Sequence, residues 1–265
     1  LFAAILAWEV EYREASDEDV PGTPQMLSWI EKALAGPYDD NWRPLSVPTT
    51  YNRLLTGGIV DYLQSDWDDA LDKHQTLAGT FKEAHANYRA AQDFLDGEDI
   101  SHAHTPSNDK PFSAVLFTDL VKAFELINPR WIKAVLAARN APRWLIKIVD
   151  AFIGPRTATA KIMGRILHAV HVNIGVDMGN ALAPWIFCIG LDPIVRYSNR
   201  IPGVISMKAY MDDTNTAGFG TDWLKQAQDM WVGMRQAGLI IAEHTCIKVT
   251  VNNHTPSGAS VCRTG

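Results

Sequence analysis

The stretch Val204-Ile-Ser-Met-Lys-Ala-Tyr-Met211-Asp212-Asp213-Thr-Asn-Thr-Ala-Gly-Phe219 decides how the rest of the chain is read. Two runs of strand-forming residues meet at a pair of acids, a pattern that predicts a hairpin with Asp212-Asp213 as its tight turn. Upstream, Ser113-Ala-Val-Leu-Phe-Thr118 is another short apolar run, suited to a buried strand, and it delivers Asp119 at its end. Carboxylates carried inward by apolar strands are costly unless something neutralises them. A divalent metal does so, and carboxylates from two strands can hold a pair of Mg²⁺ ions roughly 3.5–4 Å apart for in-line phosphoryl transfer. Asp39-Asp40 and Asp68-Asp69 have no such strands leading to them and read as solvated surface turns.

Working outward, Asn128-Pro129 starts a helix, a capping residue followed by proline at the first helical position, that runs through Arg139. Pro142 opens another, closed by Gly154. Thr157 to Met163 and Ile166 to Val172 flank Gly164 as a hairpin, and a helix follows from Ala183 to Asn199. Thr221 to Ala237 is an amphipathic helix capped by Gly238, and Leu239 to Val251 is extended. Toward the N-terminus, Gln25 to Ala35 reads as a helix ending at Gly36-Pro37, while Arg43 to Pro48 is extended because of its prolines. Tyr51 to Leu63 and Thr76 to Leu95 have helical apolar spacing, and Gly97 to Lys110 is a polar loop.

The 265 residues are 47% apolar and 20% charged, which excludes a disordered or collagen-like chain. The longest uncharged run, Met178 to Leu191, is too short for a membrane helix and contains Asn180 and Pro184. Leu1 to Trp8 lacks an initiator Met and a basic leader, so a signal peptide is not expected, and both ends look cut. Cys188, Cys246 and Cys262 follow neither a zinc nor a disulfide spacing, which points to a reduced, intracellular setting. His102, His104, His168 and His171 lack a third ligand for a zinc set, and Trp131, Trp144 and Trp185 read as core. The net charge of -6 argues against an extended nucleic-acid surface, but its distribution does not. Residues 1 to 100 carry seven basic and nineteen acidic side chains, whereas Leu126 to Val176 carries eight basic residues against Asp150 alone, a local balance of +7.

Four segments together resemble a known family. Phe117-Thr-Asp119-Leu-Val-Lys-Ala-Phe124-Glu is similar to the first palm motif of reverse transcriptases, especially those of non-LTR retrotransposons and group II introns. Gly175-Val-Asp-Met-Gly179-Asn-Ala-Leu-Ala-Pro184-Trp-Ile-Phe187 resembles their second motif, Ala209-Tyr-Met-Asp-Asp-Thr214 the third, and Arg43-Pro-Leu-Ser46 the fingers motif. Their order is the family's, with 56 residues from Asp119 to Gly175 and 37 from Gly175 to Asp212.

The resemblance implies an α+β fold, the fingers and palm of a right-hand polymerase, with an antiparallel palm sheet packed on helices and the thumb largely absent. It implies residues 1–38 as an N-terminal extension, 39–112 as fingers, 113–251 as palm with a fingers insertion around 126–176, and 252–265 as a tail. Asp119, Asp212 and Asp213 would be the catalytic, metal-binding acids, holding Mg²⁺ or Mn²⁺, with Asp213 less directly engaged. Arg43 would grip the incoming triphosphate, a task suited to a guanidinium, although an exposed structural arginine reads the same. Phe124 would block a ribose 2′-hydroxyl, or else fill the core. Met178 and Gly179 would lie along the nucleotide, the glycine letting the backbone pass close. Tyr210 and Met211 would pack beside the primer end. Arg143, Lys147, Arg156, Lys161 and Arg165 would contact template and primer phosphates. The implied activity is RNA-directed DNA polymerisation in a retroelement, with an RNA template, a DNA primer and deoxynucleoside triphosphates as partners and no membrane. A catalytically silent palm remnant, or a scaffold that binds nucleic acid without chemistry, fits the same residues.

The sequence departs from the family pattern in four places. Asp177-Met178 stands where active members carry Pro-Gln, and the charge of Asp177 is expected to repel a triphosphate. Glu125 closes the first motif in place of Asp, and no lysine precedes Arg43 between Gly36 and Trp42. The fourth motif is only suggested by Gly238-Leu-Ile-Ile241, with His244 or Lys248 near the position of a candidate general acid. Nothing after Val251 resembles a helical thumb, and no endonuclease, RNase H or maturase segment is expected.

Overall fold

The computed structural model describes residues 22–31, 42–66, 71–76, 89, 113–162, 165–202, 204–219, 230–242, 246–251 and 259–263. In chain order the first elements are β1 (Gly22–Glu31), β2 (Trp42–Val47), α1 (Thr50–Asp66), β3 (Gln75–Thr76), β4 (Ser113–Thr118) and β5 (Leu120–Val121). Next come α2 (Ala123–Leu126), α3 (Pro129–Ala138), α4 (Arg143–Ile153), β6 (Arg156–Ile162), β7 (Arg165–Val172) and α5 (Leu182–Ser198). The last are β8 (Val204–Tyr210), β9 (Asp213–Phe219), β10 (Ile240–Ile241), β11 (Ile247–Val251) and β12 (Ala259–Arg263). They form two compact units, residues 1–68 with 124–187 and residues 69–123 with 188–265.

In the first unit a four-stranded sheet runs β2-β1-β6-β7. The β6–β7 hairpin is the one its flanking of Gly164 predicts. β1 corrects the helix expected over Gln25 to Ala35: the segment pairs antiparallel with β2 on one side and parallel with β6 on the other. Its apolar residues satisfy a helical spacing, but ladders on both sides supply hydrogen bonds that local propensity cannot offset. Pro24, which has no N–H to donate, falls where the β1–β6 register shifts between Gly22 and Gln25. The helices follow local rules more closely. Thr49 Oγ1 accepts from Asn52 N–H at the start of α1, whose Leu55, Ile59 and Leu63 are buried one turn apart. Asn128 Oδ1 accepts the Arg130 N–H at 2.9 Å with Pro129 first in α3, and α4 runs from Pro142 to Gly154 as its caps.

In the second unit a six-stranded sheet runs β12-β11-β4-β9-β8-β3, antiparallel except where β3 joins β8. Two expectations change here. Thr76, read as the start of a helix, ends β3 instead, because its neighbour Gln75 pairs with Ala209 and His74 C=O accepts the Ala209 N–H. Most of the helix expected after it, and the polar loop to Lys110, lie outside the described residues. The tail contributes β12, paired on β11 from Ile247↔Arg263 to Val251↔Ala259. Residues 230–236 are helical and end as predicted at Gly238, whose φ is 83°.

The short β3 is held by a charged cluster. Asp192, fully buried in α5, accepts the Asp72 N–H and Gln75 Nε2, and its other oxygen meets Arg196 Nε at 2.6 Å. Asp72 Oδ1 in turn accepts the His74 N–H at 3.0 Å and lies 2.6 Å from His74 Nδ1. Burial by itself would raise the Asp72 pKa, but the His74 hydrogen bonds and the His74 and Arg196 charges outweigh it and hold the carboxyl below its usual 3.8. A lowered carboxyl pKa stabilises the fold above the unfolded value and ceases to do so as pH falls through the folded one. Thermal melts should therefore place Asp72→Asn below the unsubstituted chain at pH 7, by about 1–3 kcal/mol for a charged hydrogen-bonding group. The gap should close as pH drops below 3.8, and a gap that persists unchanged into acid contradicts the assignment.

Candidate active site

The acids of the second unit are positioned by strand register. β4 and β9 pair from Ser113↔Phe219 to Thr118↔Thr214, so the next step along the ladder brings Asp119 and Asp213 to the same end of adjacent strands. β8 and β9 pair up to Tyr210↔Asp213, which leaves Met211-Asp212 as a two-residue loop. The turn expected at Asp212-Asp213 is thus one residue earlier, and Asp213 is a strand residue. Met211 has a φ of 55°, left-handed at the first loop position alone, the φ pattern of a type II′ turn, which ordinarily takes glycine there. A non-glycine residue in this region is strained by about 1–3 kcal/mol and persists only where packing fixes it.

Packing does fix it. Met211 is buried, and the buried thiol of Cys188 lies 3.8 Å from its Sδ. Burial, and after it the nearby Asp212 carboxylate, pushes the Cys188 thiol up to about 12, so it stays protonated under the turn. The fourth motif falls beside the first: Ile241 pairs with Leu120, and the Ala242 N–H donates to Asp119 C=O at 2.9 Å. Lys248 sits in β11 opposite Leu116, and His244 lies outside the described residues. Among the described residues no three His, Cys, Asp or Glu side chains gather around a common point.

The first unit carries the remaining nucleotide-binding candidates, and several of them are brought together. The Val176 N–H donates to Phe124 C=O at 2.7 Å and the Gly175 N–H to Ile127 C=O at 3.0 Å, joining the second motif to the end of the first. Gly175 is required there: its φ is 75°, and a Cβ would lie 2.3 Å from the Glu125 carbonyl oxygen. Gly179, at φ 101°, is exposed. The Ser46 N–H of β2 donates to Met178 C=O at 2.8 Å, so the strand bearing Arg43 abuts the Met178 loop. The half-buried Phe124 ring stacks on Phe187 at 4.6 Å between centroids.

Asp177 does not act as the sequence suggests. Its carboxylate takes both prongs of Arg156, Oδ2 from Nε at 2.8 Å and Oδ1 from Nη2 at 2.7 Å, with both side chains buried. The charge expected to repel a triphosphate is neutralised inside the fold. The same pairing corrects Arg156, expected on the nucleic-acid surface: it is 4% exposed, and its N–H groups are spent on Asp177 and on the carbonyls of Ile153, Gly154, Ile174 and Gly175. Counting charges along the sequence cannot register burial, though an acid replacing Pro-Gln signals a nearby counter-ion. Of the other basic candidates, Arg143 is exposed at the start of α4 and Lys147 lies one turn on along the same helix. Lys161 and Arg165 flank the β6–β7 turn, with Lys161 opposite Ile166 and Ile162 opposite Arg165. Lys133, in the same basic segment, binds Asp150 at 2.6 Å.

An antiparallel palm sheet with acids at one end, and a second-motif loop tied to the strand that carries Arg43, are the features of the fingers-and-palm fold. The sequence matches the family described as reverse transcriptase (RNA-dependent DNA polymerase) over residues 30–253, and the chain belongs to that family. A comparison with curated proteins finds no match. Among solved structures it is similar to apo telomerase from Candida tropicalis truncated from the C-terminal domain, at 13% identity and TM-score 0.58, over 95% of this chain and 55% of that one. Apo telomerase from Candida tropicalis gives 13% identity and TM-score 0.61 over 96% and 49%. The same telomerase in complex with a TWJ fragment of telomeric RNA gives 12% and 0.60 over 96% and 44%. The chain thus spans about half the length of these telomerases, and at such identity the likeness is one of fold.

Gly175→Ala combines a left-handed φ with a backbone clash, and is expected to lower stability by about 3 kcal/mol or more in denaturant melts. A loss under about 0.5 kcal/mol, typical of neutral surface changes, would mean the second motif does not press on Glu125.

Proposed function

We propose that the chain is a working reverse transcriptase domain of a non-LTR-type retroelement, adding deoxynucleotides to a DNA primer on an RNA template. The observation that carries this reading is the strand register that puts Asp119, Asp212 and Asp213 at the same end of the β4-β9-β8 ladder. The donors there are all carboxylate oxygens, which suits Mg²⁺ or Mn²⁺. Mg²⁺ is commonly held by one or two carboxylates, with water and substrate phosphates completing the shell, so Asp119 and Asp212 suffice as its protein ligands. Bound there, two such ions would supply charge neutralisation at the attacking 3′-oxygen and the departing pyrophosphate.

The remaining roles fall to the chain's own side chains. Arg43 grips the triphosphate, and the Phe124 ring, backed by Phe187, occludes a 2′-hydroxyl. Met178 and Gly179 line the nucleotide, while Tyr210 and Met211 pack beside the primer end. Arg143, Lys147, Lys161 and Arg165 meet backbone phosphates. The neutralised Asp177 supports catalytic competence, because the substitution that most argued against it carries no free charge. An RNA template is in keeping with the family and with the telomerase solved with telomeric RNA. Among the described residues no helix is long and apolar enough to cross a membrane.

Primer extension on poly(rA)/oligo(dT) with Mg²⁺ or Mn²⁺ tests the reading. Asp212→Asn should lose at least about a thousandfold in rate, the several kcal/mol that a metal-bound transition state gains. Extension that survives the substitution would remove Asp212 from the chemistry; no extension from the unsubstituted chain, with Mn²⁺ binding equal in both, would identify a silent remnant. Phe124→Ala should raise ribonucleotide relative to deoxynucleotide incorporation, and an unchanged ratio would return the ring to the core.

A further inference from the structure

One buried guanidinium holds the start of the second motif. Arg156 donates to Ile174 C=O at 3.4 Å, to Gly175 C=O at 3.2 Å and to both carboxylate oxygens of Asp177, three residues within a stretch of four. It is itself anchored to the end of α4 through Ile153 C=O and Gly154 C=O. Beyond Asp177 the chain is bound again: Asn180 N–H donates to Asp177 C=O at 3.1 Å, and Met178 C=O accepts from Ser46 of β2. Asn180 Oδ1 then accepts the Leu182 N–H and starts α5. Met178 and Gly179 are therefore a two-residue span whose flanks are pinned by an ion pair on one side and a helix cap on the other.

We infer that Arg156 is a positioning residue for nucleotide binding, with Asp177 as its built-in counter-ion: the pair sets where Met178 and Gly179 meet the incoming nucleotide. This rests on the reading of that loop as the nucleotide site. The physical case is that a buried arginine and a buried carboxylate each require the other, so their geometry is fixed as one unit. A planar, two-pronged guanidinium also fixes direction, which an ammonium does not. Both side chains are buried, so the pair would act without touching substrate. Its effect passes through the backbone of residues 174–179, and a small displacement of a substrate-positioning element costs far more in binding and rate than in stability.

The test uses the full chain loaded with poly(rA)/oligo(dT) and Mn²⁺, with dTTP as the probe. Arg156→Lys keeps the charge but loses the two-pronged geometry. It is expected to weaken dTTP binding by about tenfold to a hundredfold, with duplex affinity held and amide exchange at Val176 and Asn180 accelerated. Asp177→Asn, which keeps the size, should move the same quantities in the same direction and carries the test if the lysine variant fails to fold. The two substitutions together should be no worse than the more severe alone, because each breaks the same unit. Faster exchange with unchanged dTTP affinity would make the pair a structural brace and overturn the inference. A losing duplex affinity in step with dTTP would do so too, by showing a general disturbance. If the unsubstituted complex binds no dTTP at all, the nucleotide-site reading itself fails and the inference with it, an outcome separate from variants that bind as the parent does.

Discussion

The hydrogen-bond register of β4, β9 and β8 is the constraint on which the candidate chemistry depends. Leu116, Thr216 and Met207 form one row across the three strands, and Thr118, Thr214 and Ala209 the next; all six are buried. Side chains on a strand alternate faces, so slipping either pairing by one residue would turn such a row toward the opposite face. The Thr214 hydroxyl, reaching Thr118 C=O at 3.4 Å, reinforces the second row. With the interior rows fixed, the ends of the strands have no remaining choice. Asp119 leaves β4, Asp213 begins β9 and Asp212 occupies the loop between β8 and β9. Apolar packing in the middle of the sheet thereby sets the placement of charges at its end.

The first unit meets a different requirement, which is to hold an irregular loop without the residues the family ordinarily uses. Proline limits its own φ and the conformations of the residue before it, and so stiffens a loop through sterics. Asp177 and Arg156 stiffen theirs through charge. An isolated buried carboxylate would be driven to neutralise itself, and an isolated buried guanidinium cannot lose its proton at all, so the pair forms together or not at all. The carbonyls of Ile153, Gly154, Ile174 and Gly175 absorb the donors that the carboxylate leaves over. A satisfied network of this kind makes the loop specific as well as stable.

Much of this was legible in the sequence wherever one local rule decided the outcome. Asn128-Pro129 sets the start of α3, the two runs on either side of residues 163–164 the β6–β7 hairpin, and the apolar runs around the acids the central strands. The failures share a cause, that a partner distant in sequence decides. β1 is a strand because β2 and β6 flank it, and β3 exists because Ala209 and Asp192 wait for Gln75. The hairpin turn lies one residue early because Met211 tolerates a glycine's conformation over the Cys188 thiol, which no turn propensity anticipates. Arg156 counted as surface charge because composition records sign and not depth.

Backbone strain points to the same place as register. Among the described residues three that are not glycine have positive φ: Lys122 at 43°, Asn140 at 55° and Met211 at 55°. Asn140 comes just after Arg139, the C-cap of α3, and donates its N–H to Ala137 C=O, a left-handed position past a helix end where asparagine is at ease. The other two have no such excuse, since a long side chain gains nothing from the left-handed region. Lys122 comes three residues after Asp119 and Met211 immediately before Asp212, so the strained positions stand beside the acids on both strands that supply them. Strain of this order survives only where surrounding structure over-determines it, and here the pairing of β5 with β10 and the burial of Met211 do so. An ordinary surface hairpin could relax either residue at no loss. The left-handed backbone at Lys122 and Met211 therefore fixes the course of the chain on leaving the first acid and on entering the second.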